Sequence, residues 1–136
     1  MRGPHCIKTW SIAQGPIALS SAEAEYYSMV EGVVRALGVQ SVGAEIGLEQ
    51  VRGPIRLRTD SSAARSFASR RGVGKMRHMD TRCLWLQAAV ADRKVLVSKV
   101  AGVANPANLL TKYLGAGALH RECQMMGVQL AWRPAA

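Results

Sequence analysis

Long apolar runs are missing from this chain. No stretch approaches the ~18 residues a membrane-spanning helix needs, which excludes an integral helical membrane protein. The first residues, Met1 to Trp10, lack the apolar region of a secretory signal. Cysteine is scarce and odd in number: Cys6, Cys83 and Cys123 stand far apart. That excludes a disulfide framework and a zinc site, and fits reduced thiols in an intracellular protein, cytoplasmic or nuclear. Aromatics make up 5% of the chain and Phe67 is the only Phe, so Trp10 and Trp85 are assigned to core packing rather than to base stacking. There is no internal repeat, no linker long enough to set off a second domain, and no groove-reading DNA-binding motif. Acidic residues are also few. Nine Asp and Glu face eighteen Lys and Arg, a net charge of +9, which points to an anionic partner, nucleic acid first.

What remains is one domain's worth of chain, 136 residues with 49% apolar content, enough to bury a core. Residues 6–11 and 17–20 read as short strands joined by a Gln14-Gly15-Pro16 turn, a hairpin. Ser20 or Ser21 caps a helix in which Tyr26, Met29, Val30, Val33, Ala36 and Leu37 recur at helical spacing. Gly38 is expected to interrupt it, with a second helical stretch over 39–49. Gly53-Pro54 breaks the chain before a strand at 55–59 that ends at Asp60. A helix capped by Ser61 or Ser62 comes next, with Ala64, Phe67 and Ala68 inward.

Residues 69–80 form a basic, glycine-punctuated loop. A helix over 81–94 turns Leu84, Trp85, Ala88 and Ala89 inward, and 95–100 alternates as a strand. Residues 101–108 are a loop, and Pro106 suits the first turn of a short helix that 109–114 complete. The tail, 115–136, reads as peripheral. The order is α/β, with helices packed on a mixed sheet and the strand at Arg56–Thr59 central.

Four segments, in order, carry a family resemblance. Lys8 to Met29 holds Trp10, Gln14 and the run Ser20-Ser21-Ala22-Glu23-Ala24-Glu25-Tyr26. Arg56 to Ala68 is a strand, Asp60 and a helix. Arg77 to Gln87 contains His78, Asp80 and Arg82 at alternate positions, and Val103 to Leu114 ends in Asn108-Leu109-Leu110-Thr111-Lys112. Together they resemble the ribonuclease H domain of the Pol polyprotein of copia-type LTR retrotransposons. The resemblance implies a ribonuclease-H-like mixed sheet flanked by helices over 1–114, lacking the first family strand, with 115–136 as a tail. It implies hydrolysis of RNA in RNA–DNA hybrids assisted by two Mg²⁺ ions, and a reverse transcriptase region upstream in the same polyprotein.

The resemblance places metal-binding carboxylates at Glu25 and Asp60. The family's last carboxylate falls on Asn108, and its first lies on the strand expected to be missing. Mg²⁺ is a hard ion that takes carboxylate oxygens, and a metal pair ~3.5–4 Å apart needs an anionic bridge. Two carboxylates of four therefore imply impaired cleavage, with a non-catalytic nucleic-acid-binding remnant as the alternative. Spacing alone leaves Glu23 and Glu25 both open, each flanking the apolar stripe. The resemblance selects Glu25, with Glu23 as a charge at the positive helix end. Asp60 equally suits a helix N-cap. Arg70, Arg71, Lys75, Arg77 and His78 are the expected phosphate contacts, with Gly72 and Gly74 allowing close backbone approach.

Overall fold

The computed structural model describes residues 6–75 and 78–128. In chain order, helix α1 covers Ser21–Glu45, strand β1 Ile55–Thr59, α2 Ser62–Ala68, α3 Trp85–Ala91, β2 Val95–Lys99, α4 Asn108–Thr111 and α5 Ala116–Met125. Single 3-10 turns stand at Glu49–Val51, Thr81–Cys83 and Gly102–Ala104. The described chain falls into two compact units. One is Gln14–Val100; the other comprises the described residues of Met1–Ala13 and Ala101–Ala136.

The α/β character holds in the first unit, in a small form. The sheet described there has two strands, β1 and β2, paired in parallel with Ile55 opposite Val95 and Thr59 opposite Lys99. The expected mixed sheet with β1 at its centre is thereby corrected: β1 is one of a pair. Alternation along each strand sets the faces. Ile55, Leu57, Val95 and Val97 turn toward the helices, while Arg56, Arg58, Leu96 and Ser98 are exposed. Helix α1 packs on α2 and β1, and α2 and α3 pack on β2. The core is Tyr26, Met29, Val33, Ala64, Phe67, Ala68, Met79, Leu86 and Val95, with Tyr27 at its edge. Tyr26 meets Phe67 edge to face, ring centres 4.6 Å apart, a geometry that sets the positive rim of one ring against the negative face of the other.

The hairpin expected at 6–11 and 17–20 does not form; residues 6–20 carry no strand. Ile7, Ile12, Ile17 and Leu19 are all exposed. Two short strands with no buried face are marginal in water.

Gly38 does not interrupt α1, which runs unbroken for 25 residues. A glycine inside a helix costs only about 1 kcal/mol relative to alanine, less than flanking turns supply. The helix stops instead at Gly47, whose φ of +77° is left-handed. There Gly47 N–H donates to the Ala44 carbonyl and Leu48 N–H to the Gly43 carbonyl, the paired bonds that close a helix C-terminus on a glycine.

Helix α3 and the residue before it pack Leu84, Trp85 and Ala89 against the core as expected, and depart from the expectation at Ala88. Leu86 and Gln87 are buried and Ala88 is exposed, while Leu84, Trp85 and Ala89 are half-buried. The preceding turn, Thr81–Cys83, is 3-10. In the second unit, residues 116–125 of the expected tail form α5, which packs on α4 and buries Cys123. Cys6 N–H donates to the Met126 carbonyl at 3.2 Å.

Candidate functional site

The start of α1 settles how Glu23 is used. Ser20 caps the helix by accepting from Glu23 N–H at 3.2 Å. The Glu23 carboxylate reaches back to accept from Leu19 N–H at 3.1 Å and from the Tyr27 hydroxyl at 3.0 Å. This is a capping box displaced by one residue. Glu23 stands in the first turn of α1, as expected of a charge at the positive helix end, and its side chain is buried, 4% exposed. Its neighbour Glu25 is exposed.

Tyr27 extends the chain of bonds, because its oxygen accepts from Asp80 N–H at 3.3 Å. Tyr26 donates to the Cys83 carbonyl at 2.9 Å. Burial pushes both phenols above their ordinary value. The run Glu23-Ala24-Glu25-Tyr26-Tyr27 thus ties α1 to the segment 80–83. Sequence reasoning missed this role, although Ser20 and Glu23 at capping-box spacing signalled it.

Asp60 comes directly after β1 and is half-buried. The capping task that Asp also suits falls to its neighbours. Ser61 Oγ accepts from Ala64 N–H at 3.1 Å, and Thr59 Oγ1 accepts from Ser61 N–H at 3.1 Å. The Asp60 carboxylate has no hydrogen bond or ion pair among the described residues.

Asn108 begins α4 in the second unit, 7% exposed. Its Nδ2 donates to the Gly102 carbonyl at 2.6 Å, so the amide nitrogen is committed to holding the 3-10 turn at Gly102–Ala104. A carboxylate here would set oxygen against oxygen.

In the basic loop Arg70, Arg71, Lys75 and His78 are exposed, while Arg77 lies outside the described residues. Asp80 is paired with Arg82, Oδ2 to Nη2 2.7 Å. That guanidinium, by hydrogen bonding first and charge second, holds the Asp80 carboxyl below its ordinary value. No acid occurs between Asp60 and Asp80 in sequence, so the loop's positive field is unopposed along the chain.

No family model matches the chain, and no solved structure matches it. Over 96 residues, 71% of its length, it is 30% identical to the retrovirus-related Pol polyprotein from transposon TNT 1-94 of Nicotiana tabacum. The match supports a retrotransposon Pol origin. The chain spans 7% of the length of that relative.

Against that origin, the donor set can be tested for Mg²⁺. Among the described residues no three His, Cys, Asp or Glu side chains are grouped so as to hold a metal ion. Asp60 offers an uncommitted carboxylate, Glu23 is spent inside the fold, and Asn108 is neutral. These residues supply fewer anionic ligands than a two-metal pair requires. Among the described residues no helix is long and apolar enough to cross a membrane.

Proposed function

We propose that this chain is a ribonuclease-H-like region of a copia-type retrotransposon Pol polyprotein that engages duplex nucleic acid and is impaired in cleaving the RNA strand of a hybrid. The observation that carries the reading is Asp60, an acid at a strand end that takes no part in capping the helix after it, on a chain similar to a Pol polyprotein. A carboxylate at a parallel strand end, left free by its neighbours, is what metal-assisted phosphodiester chemistry requires of one ligand. Glu25 is the second ligand in this reading; Asn108, where the resemblance expects a further carboxylate in the sequence, carries no charge. Two negative charges hold Mg²⁺ weakly, and a single ion cannot act on the attacking and leaving oxygens together.

The second reading is a purely non-catalytic binder. The Asn108 amide bond to Gly102 favours it, because that position has a structural use which a carboxylate would spoil.

One assay separates the two. A labelled RNA–DNA hybrid is titrated with the full chain across salt concentrations, then incubated with Mg²⁺. The proposal expects sequence-indifferent binding that weakens steeply with salt, and at most trace cleavage that disappears in Asp60→Asn. Binding with no trace of Asp60-dependent cleavage selects the non-catalytic reading. Vigorous cleavage abolished by Asp60→Asn would overturn the impairment, and absence of salt-dependent binding would overturn both readings.

A further inference from the structure

The basic loop contains two kinds of cation. Arg70 is turned back onto its own loop. Its guanidinium carbon lies 4.6 Å from the centre of the Phe67 ring, and its Nη2 donates to the Val73 carbonyl at 3.5 Å. Gly74, at φ +54°, sits so close beneath it that an added Cβ would come within 3.0 Å of the guanidinium. Arg71 and Lys75 are exposed and have no ion pair or hydrogen bond among the described residues.

Beneath the turn lies Gln87, buried at 5% exposure on α3. Its Nε2 donates to the Phe67 carbonyl at 2.9 Å and to the Gly72 carbonyl at 3.1 Å. Its Oε1 accepts from Gly72 N–H at 2.9 Å. One side chain therefore holds both backbone polar groups of Gly72, a residue in the left-handed region at φ +78°. A buried amide is stable only when its donors and acceptor are matched. Here all its partners belong to α2 or to the turn, so the bond set has a single geometry.

We propose that residues 70–75 are a preformed phosphate-binding turn, in which Arg71 and Lys75 contact the phosphodiester backbone while Gln87 and Arg70 are positioning residues that fix the turn. The proposal rests on the nucleic-acid reading above and names the contacts within it. A turn held before binding loses less conformational freedom on binding. Each charge that meets a phosphate adds about one to the salt slope, through the counterion it releases. A positioning residue alters affinity without altering that slope.

The test is salt titration of a labelled RNA–DNA hybrid with the full chain and its variants. Arg71→Met and Lys75→Met should each lower the slope by about one. Arg70→Met, the same chemistry one position away, should leave the slope unchanged and weaken binding about three- to tenfold. Gln87→Met should do likewise, and amide hydrogen exchange of the free protein should show Gly72 N–H losing protection. Should Gln87→Met fail to fold, Gly74→Ala strains the turn without touching α3 and should give the same loss at constant slope. Equal slope losses for Arg70→Met and Arg71→Met would overturn the division of roles. So would a folded Gln87→Met that binds as well as the unmodified chain. Salt-independent binding by the unmodified chain would instead overturn the nucleic-acid reading itself, while the exchange of Gly72 would still report on the clamp.

Discussion

The two halves of α1 are one continuous helix held by different means. The first half is gripped from outside: Glu23, Tyr26, Tyr27, Met29 and Val33 are buried, and three of these side chains also take part in hydrogen bonds that fix the chain around them. The second half exposes Val34, Leu37, Val39 and Val42. It is held at its end, where Gln40 Nε2 donates to the carbonyls of Val51 at 2.7 Å and Gly53 at 2.8 Å, and where Gly43 lets Val51 lie directly against the helix backbone. Most helical stability in proteins comes from packing of one face. In α1 that holds for the first three turns, and local bonds carry the remainder.

The contrast breaks most sharply at Tyr26. Tyr26→Ala removes a fully buried ring, its edge-to-face partner and the bond to Cys83, and should cost about 3–5 kcal/mol in urea unfolding. Tyr27→Phe keeps the volume but strips the donor from buried Glu23 and the acceptor from Asp80 N–H, and should cost about 1–3 kcal/mol. Both phenols titrate higher in the fold than in the unfolded chain. Their neutral forms therefore favour the fold below the unfolded value of 10.0, and stability falls as pH climbs past it. Tyr27→Phe should make that alkaline loss shallower.

In the second half the two glycines should respond with opposite signs. At Gly43 an added Cβ meets Val51 at 2.8 Å, so Gly43→Ala should destabilise by about 1–3 kcal/mol, with Val51→Ala relieving some of the loss. At Gly38 nothing lies within 4 Å, and Gly38→Ala should stabilise by about 0.5–1 kcal/mol. Thermal melts of the two variants side by side decide whether local propensity or end contacts hold this half.

The smallest effect should come from acid. Arg82 depresses the Asp80 carboxyl below 3.8, so the pair supports the fold fully above that value and its support is lost as pH falls through the lowered one. Asp80→Asn should flatten stability against pH only in that acid window.

The apolar faces and caps of single helices were legible in the sequence, though the unbroken passage of α1 through Gly38 was not. Tyr26, Met29 and Val33 recur at helical spacing and are buried; Ser61 caps α2; Ala64, Phe67 and Ala68 face inward. Expectations that depended on distant partners failed. Short strands over 6–11 and 17–20 were expected around a Gln14-Gly15-Pro16 turn, but a strand exists only with a neighbour to bond. Gln87 sits in an apolar run with nothing local to announce it, because the groups it satisfies lie 15 and 20 positions away. For the candidate site, the position of Asp60 at the end of β1 was readable from the sequence. The burial of Glu23 was readable only by giving weight to its spacing from Ser20, and the bond of Asn108 to Gly102 could not be foreseen.

The pairing of β1 with β2 has a kinetic consequence. Roughly forty positions separate Ile55 from Val95, and closing so long a loop costs entropy that no single strand contact returns. The two strands cannot zip together as a local event. Their pairing therefore depends on the helices that pack on them, α1 on β1 and α2 and α3 on β2, and the ladder should belong to the last step of a slow, cooperative folding reaction. Backbone amides of β2 should then exchange with solvent only when the whole unit Gln14–Val100 opens.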